Sequence, residues 1–223
     1  LTGVEVKIDG DNLSFAAADG FRLAVRKGTL SSPATEPITA IIPARALIEL
    51  GRIAGDPDDP VAMTLLSGRN QVIFQLKDVE LVSQLIEGTY PDYEQLIPSA
   101  HTTRSVVPTG EFRNACRAAS IFARESAYTV RLKIVPGGEL EPGTIEVTAN
   151  SPETGSNETV VEATIEGDPV EIAFNVKYLV DVLSVIDTPH VALETSSPSS
   201  PGVIRPVGRE DFMSVIMPMH IGA

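Results

Sequence analysis

The sequence predicts an α+β fold in which antiparallel sheets dominate and a few amphipathic helices pack against them. Three observations carry that expectation. Most of the chain alternates apolar and polar residues in short runs that break at Gly, Asp, Asn or Pro, the pattern of half-buried strands joined by turns. Three stretches, at about 43–54, 111–124 and 176–186, place apolar residues at helical spacing instead. The pattern also recurs: Gly3-Val4-Glu5-Val6-Lys7-Ile8 matches Thr129-Val130-Arg131-Leu132-Lys133-Ile134 at an offset of 126 (129 − 3). Residues 41–53 match 173–185 at 132 (173 − 41), and Val61-Ala62-Met63-Thr64 matches Val191-Ala192-Leu193-Glu194 at 130 (191 − 61). Three segments in one order at a nearly constant offset make an internal repeat.

Taken in order, residues 3–8 read as a strand, and Asp9-Gly10-Asp11-Asn12 turns it into a second at 13–17. Ala18-Asp19-Gly20 is a tight turn before a third strand at 21–25. The Ser-, Pro- and Thr-rich residues 29–39 form a loop, and 40–42 a short strand. Pro43 suits the first position of a helix to about 54, which Gly55 and the acidic, proline-bearing residues 56–60 stop. Strands follow at 61–65, 71–76 and 79–85. Residues 99–103 form a polar connector, and the domain boundary is expected there. A strand at 105–107 leads into the helix at 111–124, with Thr109 as a candidate cap. Strands at 128–135, 144–149, 157–165 and 171–174, the helix at 176–186, and strands at 191–195, 202–205 and 212–217 complete the chain. The second copy carries a strand and a helix, 105–124, ahead of its first matched strand. The first copy has no counterpart after Leu1, so at least one strand and one helix of that copy are expected to lie outside this chain.

Composition narrows the function classes. In 223 residues there are 30 acids against 17 bases, a net charge of −13, which argues against a surface that grips nucleic acid everywhere but permits a local basic face. Such a face is visible in the pattern. At 100° per residue, Arg113, Arg117, Ser120 and Arg124 fall within an arc of roughly 60° on one helix. Arg45 and Arg52 share a face of the first helix, interrupted by Glu49. A purely basic stripe in an acidic chain suits a duplex held through its phosphates without base reading; a merely solvated helix face is the other reading. The single cysteine, Cys116, excludes an internal disulfide framework and fits a reducing cytosol. It is read as a packing residue. His101, His190 and His220 have no metal-like partner at short spacing, and no phosphate-binding glycine loop, nucleophile elbow or Cys-His pair is present, so neither a catalytic site nor a metal or cofactor site is expected.

The end of the chain is unusual. Ser214-Val215-Ile216-Met217-Pro218-Met219 is apolar where most termini are polar. Pro218 bars a continuing central strand or helix, so the segment is expected to lie extended. It either closes a core or forms one lip of a peptide groove, a use for which methionine's flexibility is suited.

Four segments resemble motifs of one family in order and spacing: Ala17-Ala18-Asp19-Gly20-Phe21-Arg22-Leu23-Ala24, Leu85-Ile86-Glu87-Gly88-Thr89-Tyr90-Pro91-Asp92-Tyr93, Phe174-Asn175-Val176-Lys177-Tyr178-Leu179 and Met217-Pro218-Met219. The family is the bacterial sliding clamp, the β subunit of DNA polymerase III. The resemblance implies a DNA-clamp fold of repeated domains, sheets outside and helices on the inner face. It implies a middle domain at 1–98 that lacks its first elements, a linker at 99–104 and a C-terminal domain at 105–223. The implied function is a non-enzymatic processivity factor that encircles duplex DNA, sequence-independently, and tethers the polymerase at replication forks in the cytoplasm. Arg45, Arg52, Arg113, Arg117, Arg124 and Lys177 would face the phosphates. The implied partner groove takes short peptides with a Gln and large apolar residues, from polymerase, clamp loader and other proteins. Its lining would be Leu1, Ala18, Gly20, Phe21, Arg22, Leu23, Pro91, Leu96, Tyr178, Val215, Met217, Pro218 and Met219, with Asn175, Ser200 and Gly202 at the rim. Ile121 and Phe122 match apolar positions of the family's dimer interface; the full-length ring is a homodimer, and this chain alone is expected not to close a ring, being monomeric or dimerising in another way. Ala18 stands where the family often has Thr, and His220-Ile221 replaces an Arg-Leu ending. The competing reading is a β-rich interaction module with an apolar peptide groove and no DNA role.

Overall fold

A computed structural model describes residues 2–55, 58–66, 68–138, 140–153 and 155–220. Its contacts divide the chain into two compact units: residues 1–20 with 25–92, and residues 21–24 with 93–223. The sequence reading kept 93–98 with the first module, whereas here they belong to the second unit.

Unit 1 is built from β1 (Gly3–Asp9), β2 (Asn12–Ala18), the later part of β3 (Arg22–Thr29), β4 (Ile38–Pro43), α1 (Ala44–Ile53), β5 (Ala62–Leu66), β6 (Gln71–Gln75) and β7 (Glu80–Gln84). β1 and β2 pair antiparallel to Asp9↔Asn12, which leaves a two-residue loop. Gly10 takes φ 61° there, in the loop position where a side chain would be strained. β4 pairs with the other edge of β1, and β5-β6-β7 form a separate three-stranded sheet. Alternate residues Val6, Ile8, Ala40, Ile42, Val72 and Phe74 point into one small core. α1 covers it with Ala46, Leu47 and Leu50, none of them fully buried.

Pro43 does not open the helix as expected. It ends β4 opposite Gly3 and caps α1 with φ −54° and ψ 128°. Proline's fixed φ suits strand and helix alike, and the ladder with β1 holds ψ extended for one residue more.

Unit 2 is larger. It holds β8 (Thr103–Pro108), α2 (Thr109–Phe122), β9 (Thr129–Val135), β10 (Gly143–Ser151), β11 (Gly155–Gly167), β12 (Val170–Asn175), α3 (Val176–Val185), β13 (His190–Thr195), β14 (Gly202–Pro206) and β15 (Phe212–Ile216). The strand order is β12-β9-β10-β11-β8-β13-β14-β15, all antiparallel. β11 switches partner, from β10 up to Ala163 to β8 from Thr164. Thr103 and Arg104, expected in a linker, are strand residues because Thr103 pairs with both Gly167 and Thr195. Gly167 at φ 106° makes that approach possible, since a Cβ there would lie 1.9 Å from the Thr102 carbonyl oxygen. α2 starts at Thr109 behind Pro108, so Thr109 is not a cap; its buried hydroxyl has no hydrogen-bond partner. α2 then tightens into a 3-10 turn, Ala123–Glu125, that carries Arg124.

The repeat holds down to register. Gly3↔Pro43 and Val4↔Ile42 in unit 1 become Thr129↔Asn175 and Val130↔Phe174 in unit 2. No described helix is long and apolar enough to cross a membrane.

Candidate functional site

The last described residues of unit 2 are held as an extended strip. Met217 N–H donates to the Phe21 carbonyl and Met219 N–H to that of Ala173, both at 2.8 Å. Pro218 sits between them with no donor to satisfy. Met219 thus bridges to the free edge of β12, and its Sδ accepts a weak bond from Thr129 Oγ1 at 3.6 Å. Ser214 Oγ donates to the Leu23 carbonyl at 3.0 Å, fixing the start of β3 beside β15.

On this strip the expected groove residues divide into two kinds. Phe21, Leu96 and Met217 expose large apolar side chains, at 62%, 52% and 43%. Pro218, Met219, Tyr178, Arg22, Asn175 and Ser200 are half-buried. Leu23 and Val215, by contrast, are buried at 2% and 3% and support the surface rather than line it. Gly202 is not a rim residue: it is buried, and a Cβ there would meet the Phe174 ring at 2.5 Å. Its role is to admit that ring into the core. Asn175 is also structural, for its side chain accepts from Lys177 N–H at 3.0 Å and caps α3. Ser200 Oγ lies 2.7 Å from Ser197 Oγ within a serine-rich loop. Leu96 stands on a 3-10 turn, Glu94–Leu96.

The remaining expected groove residues belong to unit 1. Ala18 N–H donates to the Tyr90 hydroxyl at 3.0 Å, Gly20 is exposed at φ 88°, and Pro91 is exposed. Leu1 lies outside the described residues.

Two cation–π pairs mark the start of α3. The Arg22 guanidinium lies 4.3 Å from the Tyr178 ring centre, and the Lys177 ammonium 3.4 Å from that of Tyr128. Arg22 Nη1 also pairs with Asp181 Oδ2 at 2.6 Å. Lys177, first by hydrogen bonding and then by its charge, with a smaller contribution from Arg124, lowers the Tyr128 phenol from its ordinary value. Asp181 and Tyr128 were not anticipated. One helical turn from Lys177 and Tyr178, Asp181 was detectable in principle; Tyr128 follows Ala127, both in the left-handed region at φ 54° and 60°, which no residue type there announces.

The basic residues differ in pairing. On the strands of unit 2 they are paired: Arg104 and Arg205 with Glu194, Arg131 with Glu171 and Lys133 with Glu146; Arg209, between β14 and β15, pairs with Asp187 and Asp211. Lys27, on β3 in unit 1, is exposed and forms no ion pair among the described residues. Arg45, Arg117 and Arg124 are exposed on helical segments and form no ion pair among the described residues; Lys177 is exposed, lies on the Tyr128 ring and likewise forms no ion pair among them. Two expectations weaken. Arg52 is paired with Glu49 at 3.3 Å, and Arg113 is half-buried with Nε enclosed and unbonded, since its helix position turns toward the packed side. Ile121 is 59% exposed, whereas Phe122 packs partly on the core. Cys116 is fully enclosed, and burial pushes its thiol far above the usual range. No cluster of His, Cys, Asp and Glu among the described residues could hold a metal.

Family models for the central and the C-terminal domain of the DNA polymerase III beta subunit match residues 1–92 and 94–220. The chain is 34% identical to the beta sliding clamp of Synechococcus elongatus over 223 residues, covering 99% of this chain and 58% of that protein. With the Staphylococcus aureus beta sliding clamp it shares 35% identity over 221 residues, covering 99% and 56%. Among solved structures, the sliding clamp of Bacillus subtilis superposes with a TM-score of 0.90 at 33% identity over 99% of this chain and 57% of that one. The beta subunit of Pseudomonas aeruginosa gives 0.89 at 29%, covering 99% and 59%. The chain spans somewhat over half the length of these relatives. An antiparallel α+β architecture, a repeat preserved in register and two family models that together span nearly every residue lead to one conclusion: this chain belongs to the DNA polymerase III beta subunit family, the bacterial sliding clamps.

Proposed function

We propose that the chain contributes the central and C-terminal domains of a sliding clamp, a non-enzymatic ring that encloses duplex DNA in the cytoplasm and tethers the replicative polymerase to it. The observation that carries this reading is the pairing of charge in unit 2: cations on its strands are neutralised by neighbouring carboxylates, while Arg117 and Arg124 on its helical segments are not. In a chain of net charge −13, unneutralised bases on the helical segments of unit 2 give a local surface that attracts phosphates weakly and without sequence preference. Weak attraction suits sliding, because retention then depends on topology rather than on tight contacts.

The second element of the proposal is a peptide-docking strip on unit 2, made by Phe21, Arg22, Leu96, Tyr178 and the Met217-Pro218-Met219 segment. It is supported by large apolar side chains left exposed on a backbone pinned by hydrogen bonds at both methionines. Polymerase, clamp loader and other proteins would dock there through a Gln and large apolar residues. Exposed Ile121, with Phe122 beside it, would join a second protomer in the ring.

Two titrations test this. A fluorescein-labelled peptide with one Gln and three large apolar residues should bind saturably, and Met217→Ala should weaken it by about 1–3 kcal/mol. A labelled duplex of about 20 base pairs at low salt should lose affinity and salt dependence in the Arg117→Glu/Arg124→Glu double variant. Peptide binding with no effect of those arginines on the duplex would support an interaction module without a DNA role.

A further inference from the structure

The docking strip carries two cations, and only one of them is balanced. Arg22 lies on Tyr178 and is neutralised by Asp181. Lys177, the adjacent residue of α3, lies on Tyr128 and has no carboxylate partner among the described residues. Its surroundings tie it to the methionine strip. Asn175 caps its N–H, Val176 N–H donates to the Tyr128 carbonyl at 2.8 Å, and Thr129, next to Tyr128, bonds the Met219 sulfur. Tyr128 reaches this place through two successive non-glycine residues in the left-handed region, a backbone arrangement that needs the surrounding bonds to hold it. The result is an ammonium on a rigid aromatic support, one residue away from Thr129, which bonds the Met219 sulfur.

We infer that Lys177, seated on the Tyr128 ring beside Met219, is a specificity-determining residue of the docking strip that receives a side-chain carboxylate of the partner peptide. This rests on the peptide-docking reading above and adds a charge rule to it: partners carry an acidic residue flanking their apolar anchors. A phosphate of the duplex is the other anion the ammonium could meet. The peptide is favoured because Lys177 is bonded into the residues that hold Met219, while Arg117 has no such tie and Arg124 reaches Tyr128 only through its charge. A single partly exposed pair of this kind is modest, about 3–5-fold in affinity at low salt.

The test uses two labelled peptides with the same Gln and apolar anchors, one with Asp and one with Asn at every other position. The Asp peptide should bind the wild-type chain about 3–5-fold more tightly at low salt, with the gap closing as NaCl is raised. Lys177→Gln should abolish the gap while leaving the Asn peptide unchanged, and Tyr128→Leu should narrow it. Tyr128→Phe, which keeps the ring, should preserve it. Equal binding of the two peptides, or a gap that survives Lys177→Gln, overturns the inference while leaving the docking strip intact. Loss of duplex affinity in Lys177→Gln with the peptide gap unchanged also overturns it and assigns the ammonium to phosphate. If neither peptide binds, the docking strip itself fails and the inference with it.

Discussion

Helices α1 and α3 occupy the same place in the internal repeat, each following an edge strand paired in the same register, yet they are packed very differently. α3 buries Val176, Leu179, Val182 and Leu183, and α1 buries no residue fully. The cause lies beside them. α2 packs along α3, and β8 joins β11 to β13, so that unit 2 closes over one large core. Among the described residues of unit 1 no helix lies along α1, and β5-β6-β7 remain a sheet of their own. Equivalent sequence patterns therefore carry unequal stability, because burial depends on what neighbours an element finds. Area removed from water, rather than amphipathic pattern, sets the energy.

The largest expected contrast is between Leu179→Ala and Leu47→Ala, the equivalent positions. The first empties a fully enclosed site and should destabilise unit 2 by about 3–4 kcal/mol, while half-buried Leu47 should cost unit 1 about 1 kcal/mol. Urea unfolding read by Cys116 labelling reports unit 2, because its thiol is enclosed there and is the only one in the chain, and hydrogen exchange of the β1 and β4 amides reports unit 1. Burial raises that thiol's pKa, so its protonated form adds stability below the ordinary thiol value that is lost as pH rises. Labelling is expected only on unfolding. Equal losses at the two leucines would break the comparison.

Glycine substitutions sharpen it. Gly202→Ala drives a Cβ into the enclosed Phe174 ring and should cost about 2–3 kcal/mol. Gly3→Ala meets the side-chain ends of Ile41 and Ile86, which can rotate aside, and should cost unit 1 about 1 kcal/mol, read by hydrogen exchange of the β1 and β4 amides. A smaller effect is expected at the helix starts. Asn175→Ala removes a capping bond and should cost about 1 kcal/mol, whereas α1 begins at Pro43 with no side-chain cap to lose.

The smallest effect is spectroscopic. Tyr128 should ionise below its ordinary pKa of 10.0, seen as absorbance near 295 nm. Tyr128→Phe should delete that early rise, and Lys177→Gln should move it back up. A depressed folded value contributes stability that is complete above the unfolded pKa, is lost as pH falls through the lowered folded value, and adds nothing at neutral pH.

Strand and helix positions were readable because their periods are local properties of the chain, and all three helices and nearly every strand lie within a few residues of expectation. The misplacements share a cause. Pro43, Thr103 and Arg104 are assigned by ladder partners far along the chain, and Thr109 by its place after Pro108, which pairs with His190; no local signal names those partners. The basic stripe was visible as spacing, but spacing cannot report neutralisation: Glu49 sits on Arg52, and Arg113 turns partly inward. In the same way the docking residues were legible as motifs, yet Leu23, Val215 and Gly202 proved to be supports beneath the surface rather than parts of it.

By itself the sequence determined the antiparallel α+β class, the two-copy grammar and the family, since each depends on residue order, periodicity and motif. Only the tertiary structure decided which apolar side chains remain exposed, which cations are neutralised, and that Lys177 rests on Tyr128 beside Met219. Those are relations between segments tens of residues apart. Exposure and pairing are decided by distance in space, and a linear pattern constrains that distance only through the fold.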